Sequence, residues 1–186
     1  MIRLFIGLPI SEDIRTLLHP VYEFLSTQDR IVKSVAPQNY HITVKFLGEC
    51  EGNVAKAIEN TFMEISVPAE GIPYTLSGLG TFPDMKKPTV LWAGLTADQN
   101  KLSSIYKNVE RFSSNFRFKE EKRVFIPHLT IARIRNGRKI TGDLMKYIEK
   151  NKDLYFGDSA FNRLTLFSSN LTPDGPIYKE LKSITF

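Results

Sequence analysis

Cysteine is almost missing from this 186-residue chain: Cys50 stands alone. That excludes an intrachain disulfide and suits a protein of the reducing cytoplasm. Long apolar runs are missing too, and none approaches the about 18 residues of a membrane span. The first ten residues are apolar, but they lack a small-residue cleavage site and a helix start follows at once, so they read as a strand and not as a secretion signal. No stretch has the composition of a disordered tail. No cluster of His, Asp and Glu at ligand spacing marks a metal site, so no metal or other cofactor is expected. What is present is 42% apolar residues, enough for a sizeable core in one domain or in two small lobes sharing a cleft.

Positive charge is in excess, and it is localised. The net charge is +5, yet residues 117–139 alone hold eight Lys or Arg (117, 119, 122, 123, 133, 135, 138, 139) against Glu120 and Glu121. The rest of the chain is close to neutral. A basic run is often only a solvated loop, but this one flanks one of three histidines, as expected where a polyanion docks.

Two of those histidines share a setting. Tyr40-His-Ile-Thr-Val44 and Pro127-His-Leu-Thr-Ile131 each carry His-x-Thr in an apolar, β-branched run, and both read as strands. Residues two apart in a strand face the same way. His41 and Thr43 therefore share one face, and His128 and Thr130 share another, with the aliphatic residues pointing to a core. An imidazole titrates near neutrality. Two of them across a cleft can divide proton transfer, one taking a proton from a nucleophile and the other giving one to a leaving group. Threonine hydroxyls can donate to phosphate oxygens, and Arg133 could add a fixed charge with a planar fork. Strict alternation, however, sends Arg133 to the face of Leu129 and Ile131, and it reaches the cleft only if the strand ends or bulges near Ala132. Alternation puts Lys45 on the His41 face, as a contact to a bound polyanion or as a solvated strand end.

One His-x-Thr alone is a weak signal. The pair gains weight because its spacing of 87 residues recurs elsewhere in the chain. Arg3–Leu8 matches Val90–Leu95 without a gap, through Leu4/Leu91, Phe5/Trp92, Gly7/Gly94 and Leu8/Leu95, and Ser11 and Asp98 follow as helix caps. The first half reads as a strand at Arg3–Leu8, a helix that Pro20 kinks or splits, a short strand at Ile31–Val35, and the His41 strand ending at Gly48. A helix over 52–65 and a strand at Tyr74–Phe82 complete it. The second half reads Val90–Leu95, a helix on Leu102, Ile105, Tyr106, Val109 and Phe112, and then the His128 strand. A short helix follows, capped by Thr141 and carrying Leu144, Met145 and Ile148, then a strand at Ala160–Ser168 and a last one at about Ile177–Phe186. Phe5 and Trp92 read as core. The fold class is α+β: one bilobal domain over 1–186, with halves of approximately 1–88 and 89–186 related by a pseudo-two-fold axis. Each lobe would have an antiparallel sheet and helices, with a central cleft between them.

These residues resemble the 2H phosphoesterase superfamily, and within it the RNA 2′,3′-cyclic phosphodiesterase family, also called 2′-5′ RNA ligase. The resemblance covers nearly the whole chain, through Arg3–Leu8, His41–Glu49, Gly78–Pro83, Val90–Gly94, Pro127–Arg133 and Leu171–Tyr178. It implies metal-free hydrolysis of a terminal RNA 2′,3′-cyclic phosphate to a 2′-phosphate. His128 would be the proton acceptor and His41 the proton donor, and Thr43, Thr130 and Arg133 would hold the phosphate. An RNA 5′-hydroxyl in place of water would give 2′-5′ ligation. The implied partner is RNA with a cyclic phosphate end, such as a tRNA fragment, acted on by a cytoplasmic monomer. Aromatic side chains that stack on bases are expected in the cleft. Other readings stay open: a 2H enzyme for a small cyclic-phosphate nucleotide, a non-catalytic RNA-binding relative, or a metallohydrolase.

Overall fold

A computed structural model of the chain describes residues 1–186 apart from 123, 141, 173 and 174. The first half forms β1 (Ile2–Pro9), α1 (Glu12–Leu17), α2 (His19–Thr27), β2 (Val32–Ser34), β3 (His41–Cys50), α3 (Gly52–Thr61) and β4 (Ile72–Phe82). The second forms β5 (Val90–Ala97), α4 (Gln99–Ser114), β6 (His128–Ile134), α5 (Gly142–Lys150), β7 (Tyr155–Phe161), β8 (Arg163–Thr172) and β9 (Gly175–Thr185). Among the described residues no helix is long and apolar enough to cross a membrane.

The local signals act as their chemistry requires. Ser11 Oγ accepts from the Ile14 amide, and Asp98 Oδ1 accepts from the Asn100 and Lys101 amides, so each caps a helix N-terminus. Pro20 lacks an amide hydrogen and sits in the first turn of α2, where none is needed, so the chain splits into α1 and α2 at Leu18. Leu102, Ile105, Val109 and Phe112 form the buried stripe of α4.

All strands join one antiparallel sheet in the order β7-β4-β5-β6-β3-β1-β8-β9, with β2 also on β6. The order is symmetric about the β6–β3 seam: β6 matches β3, β5 matches β1, and β4 matches β8. The seam is closed at Ile42 against Leu129, which are equivalent positions of the repeat, so the pseudo-two-fold axis passes through that pair. Two lobes result, and they interlock. β4 belongs to the first half of the sequence but pairs with β5, while β8 belongs to the second half but pairs with β1. Helices cross as well: α1 packs on β7 and α4 on β3. Halves of the sequence and halves of the sheet therefore do not coincide.

Three expectations need correction. The strand expected at Ala160–Ser168 spans a boundary. β7 ends at Phe161 on the β4 side, β8 begins at Arg163 on the β1 side, and Asn162 is where the chain changes lobes. Gly48 does not end its strand. Its φ of 77° fits a bulge opposite Leu4 and Phe5, and the ladder continues to Ile2–Cys50. On α5, Leu144 and Ile148 are buried but Met145 is exposed. The Thr141 cap lies outside the described residues.

Candidate active site

β3 and β6 build the site with the same device. In the β5–β6 ladder Leu91 pairs with Ala132 and Trp92 with Thr130, so Ile131 is an extra residue. In the β1–β3 ladder Ile6 pairs with Lys45 and Gly7 with Thr43, so Val44 is the extra residue. Each bulge puts two successive side chains into the core, Ile131 with Ala132 and Val44 with Lys45, and inverts the alternation beyond it. Arg133 thereby returns to the face of His128 and Thr130, and Phe46, 63% exposed, takes the equivalent place beside Thr43.

Lys45 consequently does not lie on the His41 face, where alternation placed it. It is 6% exposed, and its ammonium donates to both carboxylate oxygens of Glu110 at 2.7 Å and to the Lys119 carbonyl at 3.1 Å. It ties β3 to α4 on the side away from the cleft.

The four His-x-Thr side chains meet on one face. Continuing the antiparallel register from Ile42–Leu129 sets His41 opposite Thr130 and Thr43 opposite His128. Each imidazole is fixed by a main-chain carbonyl two residues upstream: His41 Nδ1–H donates to Asn39 at 2.7 Å, and His128 Nδ1–H donates to Ile126 at 2.8 Å. A carbonyl can only accept, so Nδ1 carries the proton in both neutral rings and Nε2 is left as the reactive nitrogen. Thr43 Oγ1 lies 3.1 Å from His41 Nε2 and donates to it while the ring is neutral. His128 Nε2 has no partner among the described residues. Small residues make the room: a Cβ on Gly7 would meet the Ile42 carbonyl oxygen at 2.9 Å and the His41 ring at 3.2 Å.

Aromatic rings, expected in the cleft but not assigned to positions from the sequence, surround both imidazoles. Phe5 packs on His41 at 4.7 Å between centroids, stacks on Phe167 at 4.8 Å, and meets the edge of Tyr178, which is itself 5.4 Å from His41. Phe82 meets His128 edge-on at 4.9 Å and packs on Trp92 at 5.4 Å. Phe5 is buried, but on this face, and Trp92 is half-buried across from Thr130. Neither belongs to the core on the other face of the sheet, where they had been expected. Alternation along β1 and β5, counted from the glycines at 7 and 94, would have shown this.

The environment favours neutral imidazoles. Burial lowers His41 to about 4, helped by the charges of Arg133 and His128 and opposed by the bond to Asn39. His128 is also lowered, first by burial and then by Arg133. Arg133 thus places its charge near both rings. Among the described residues no three His, Cys, Asp or Glu are grouped to hold a metal ion.

Two histidines thus stand on matched strands of a duplicated sheet with the charge of Arg133 near both, and comparison with known proteins gives the class. The family described as LigT like Phosphoesterase matches this chain twice, over residues 8–92 and 94–178. The chain belongs to that family. It is 38% identical over 183 residues to an RNA 2′,3′-cyclic phosphodiesterase of Methanocaldococcus jannaschii, covering 97% of this chain and 98% of that one. A protein of the same name from Aquifex aeolicus is 34% identical, with 96% and 94% covered. The fold is shared with TT0787 of Thermus thermophilus, with a TM-score of 0.79, 22% identity, and 98% and 97% coverage. It is shared as well with Escherichia coli LigT crystallised with 3′-AMP, with a TM-score of 0.74, 21% identity, and 99% and 97% coverage.

Proposed function

We propose that the chain is a cytoplasmic, monomeric RNA 2′,3′-cyclic phosphodiesterase that needs no metal and leaves a 2′-phosphate and a 3′-hydroxyl. The observation that carries the reading is the matched pair of imidazoles, each with Nδ1 tied to a carbonyl so that Nε2 is the nitrogen left for proton transfer, bonded to the Thr43 hydroxyl in His41 and unpartnered among the described residues in His128, on one face with Arg133. His128 Nε2 takes a proton from water as the water oxygen bonds to phosphorus. The P–O3′ bond breaks, and His41 Nε2–H protonates O3′. A donor with a strongly lowered pKa gives up its proton readily, which suits His41 to the second task. His41 is neutral in the free protein near pH 7, and the bound anionic phosphate raises its affinity for a proton, which it takes from solvent before the P–O3′ bond breaks. On protonation Nε2 becomes a donor, and the Thr43 hydroxyl, no longer needed by the ring, turns to a phosphate oxygen. Thr130 and Arg133 complete the hold. Phe46 and Tyr178 offer surfaces for a base. A 5′-hydroxyl replacing water would make a 2′-5′ linkage, and tRNA fragments with cyclic ends are suitable substrates.

The test is hydrolysis of a short RNA ending in a 2′,3′-cyclic phosphate, in EDTA, by wild type, His41→Ala and His128→Ala. Each variant is expected to lose about 10²–10⁴-fold in rate, with the 2′-phosphate as sole product of wild type. Binding without turnover by wild type would leave an RNA-binding protein. Turnover lost in EDTA and restored by a metal ion would leave a metallohydrolase.

A further inference from the structure

We infer that Arg3 holds the phosphodiester preceding the reacting phosphate, so that the cleft favours an oligonucleotide end over a mononucleotide. This rests on the cyclic phosphodiesterase reading and specifies its substrate. The β1–β8 ladder runs unbroken from Arg3–Ser169 to Gly7–Thr165, and Leu4 and Ile6 are buried in the core. Arg3, Phe5 and Gly7 therefore share the cleft face. Gly7 lies against His41 and Phe5 packs on its ring, which puts Arg3 one step further out along the same strand face.

Arg3 also falls in a cross-strand row with Ser169 and Tyr178. The edge of the Tyr178 ring meets His41, and its hydroxyl senses the positive charge of both Arg133 and Arg3. Two guanidinium groups thus act on one tyrosine, Arg133 from the side of the reacting histidines and Arg3 from further out. Arg3 is exposed and has no hydrogen bond or ion pair among the described residues. Glu49 is its register partner on β3. Between that row and Thr43 stands Phe46, opposite Phe5 and exposed. Outward from the histidines the face therefore presents an aromatic ring and then a cation. That is the sequence of base and phosphate met along a single strand of RNA. A guanidinium cannot lose its charge, and its planar fork fits a phosphodiester. A mononucleoside cyclic phosphate has no second phosphate and gains nothing from it.

The experiment compares kcat/KM for a trinucleotide ending in a 2′,3′-cyclic phosphate with that for a mononucleoside 2′,3′-cyclic phosphate, in wild type, Arg3→Gln and Glu49→Gln. In Arg3→Gln the ratio of the two is expected to fall about fivefold to tenfold, and the logarithmic salt dependence of trinucleotide binding to flatten by about 0.7. Glu49→Gln, which removes the opposing carboxylate, should raise the ratio by about twofold. A ratio unchanged in Arg3→Gln overturns the assignment, whether both substrates suffer equally or neither does. Binding of a 5′-labelled trinucleotide ending in a 2′-phosphate, read by anisotropy, covers failure of the parent reading. If wild type hydrolyses neither substrate, that reading fails, and the salt slope still decides Arg3.

Discussion

Around His41 the molecule closes, and around His128 it opens. Phe5, Phe167 and Tyr178 gather on the first imidazole, whereas Phe82 meets the second edge-on. Asn39 holds His41 with its carbonyl and binds Pro176 with its side-chain amide at 2.9 Å. Its equivalent, Ile126, holds His128 with its carbonyl alone and exposes its side chain. Five residues past His41 stands Phe46, and five past His128 stands Arg133. One backbone plan, including the bulge, was thus filled with two sets of side chains. Duplication supplies the geometry of the paired histidines, and divergence supplies their different surroundings, which is what the proposed division into a proton donor and a proton acceptor rests on.

The largest way to break the comparison lies beneath it. Lys45 and Ala132 are equivalent and both buried, but only Lys45 is charged. Lys45→Met would strand the Glu110 carboxylate and is expected to cost about 3–5 kcal/mol of stability, measured by urea unfolding. Lys45→Met combined with Glu110→Leu should recover most of that. Hydrolysis by the folded fraction should survive in both. A loss of RNA affinity with stability intact would return Lys45 to the cleft.

Arg133→Gln comes next. Its loss would remove the charge-assisted contact to the phosphate that the proposed function gives it and should lower kcat/KM by about tenfold to a hundredfold. It also removes a charge that holds His41 down, so the imidazole should titrate above its wild-type value of about 4 when followed by NMR. In wild type both rings are lowered, so the alkaline limb of kcat/KM should begin below pH 6.5, and the kcat profile, which reports the complex, should lie higher. Linkage gives a companion result. A histidine at about 4 when folded and about 6.5 when unfolded leaves the unfolded chain with more bound protons between those values. Stability is then full above pH 6.5 and declines as pH falls through 4. His41→Gln should flatten that decline, and an unaltered acid limb in urea titrations would count against the burial of His41.

The repeat, the two histidines and the order of the elements were legible in the sequence, because alternation and the spacing of 87 are properties of the chain alone. The bulges were not legible. An extra residue at Val44 or Ile131 leaves no compositional mark, yet it moves Lys45 away from the cleft and Arg133 into it. The change of lobes at Asn162 was equally hidden, since β7 and β8 differ in partners and not in strand-forming character. The aromatic surroundings of His41 come from three distant strands, and only the closed ladder brings them together.

The smallest and most discriminating change is Asn39→Ala. The carbonyl to His41 is main chain and remains, so the tautomer and the lowered pKa should persist. What disappears is the amide bond to Pro176 at the start of β9, the strand that carries Tyr178 to His41. Loss of one partly buried hydrogen bond to a neutral carbonyl is worth about 1 kcal/mol, so hydrolysis should fall about fivefold or less. Amide exchange should quicken over residues 175–178. Ile126→Ala removes an exposed side chain with no such bond and should alter neither quantity at the His128 side. Equal losses in the two variants would mean that the strap on β9 is not what separates the two histidines, and that the rings packed on His41 set its environment without help from the strap.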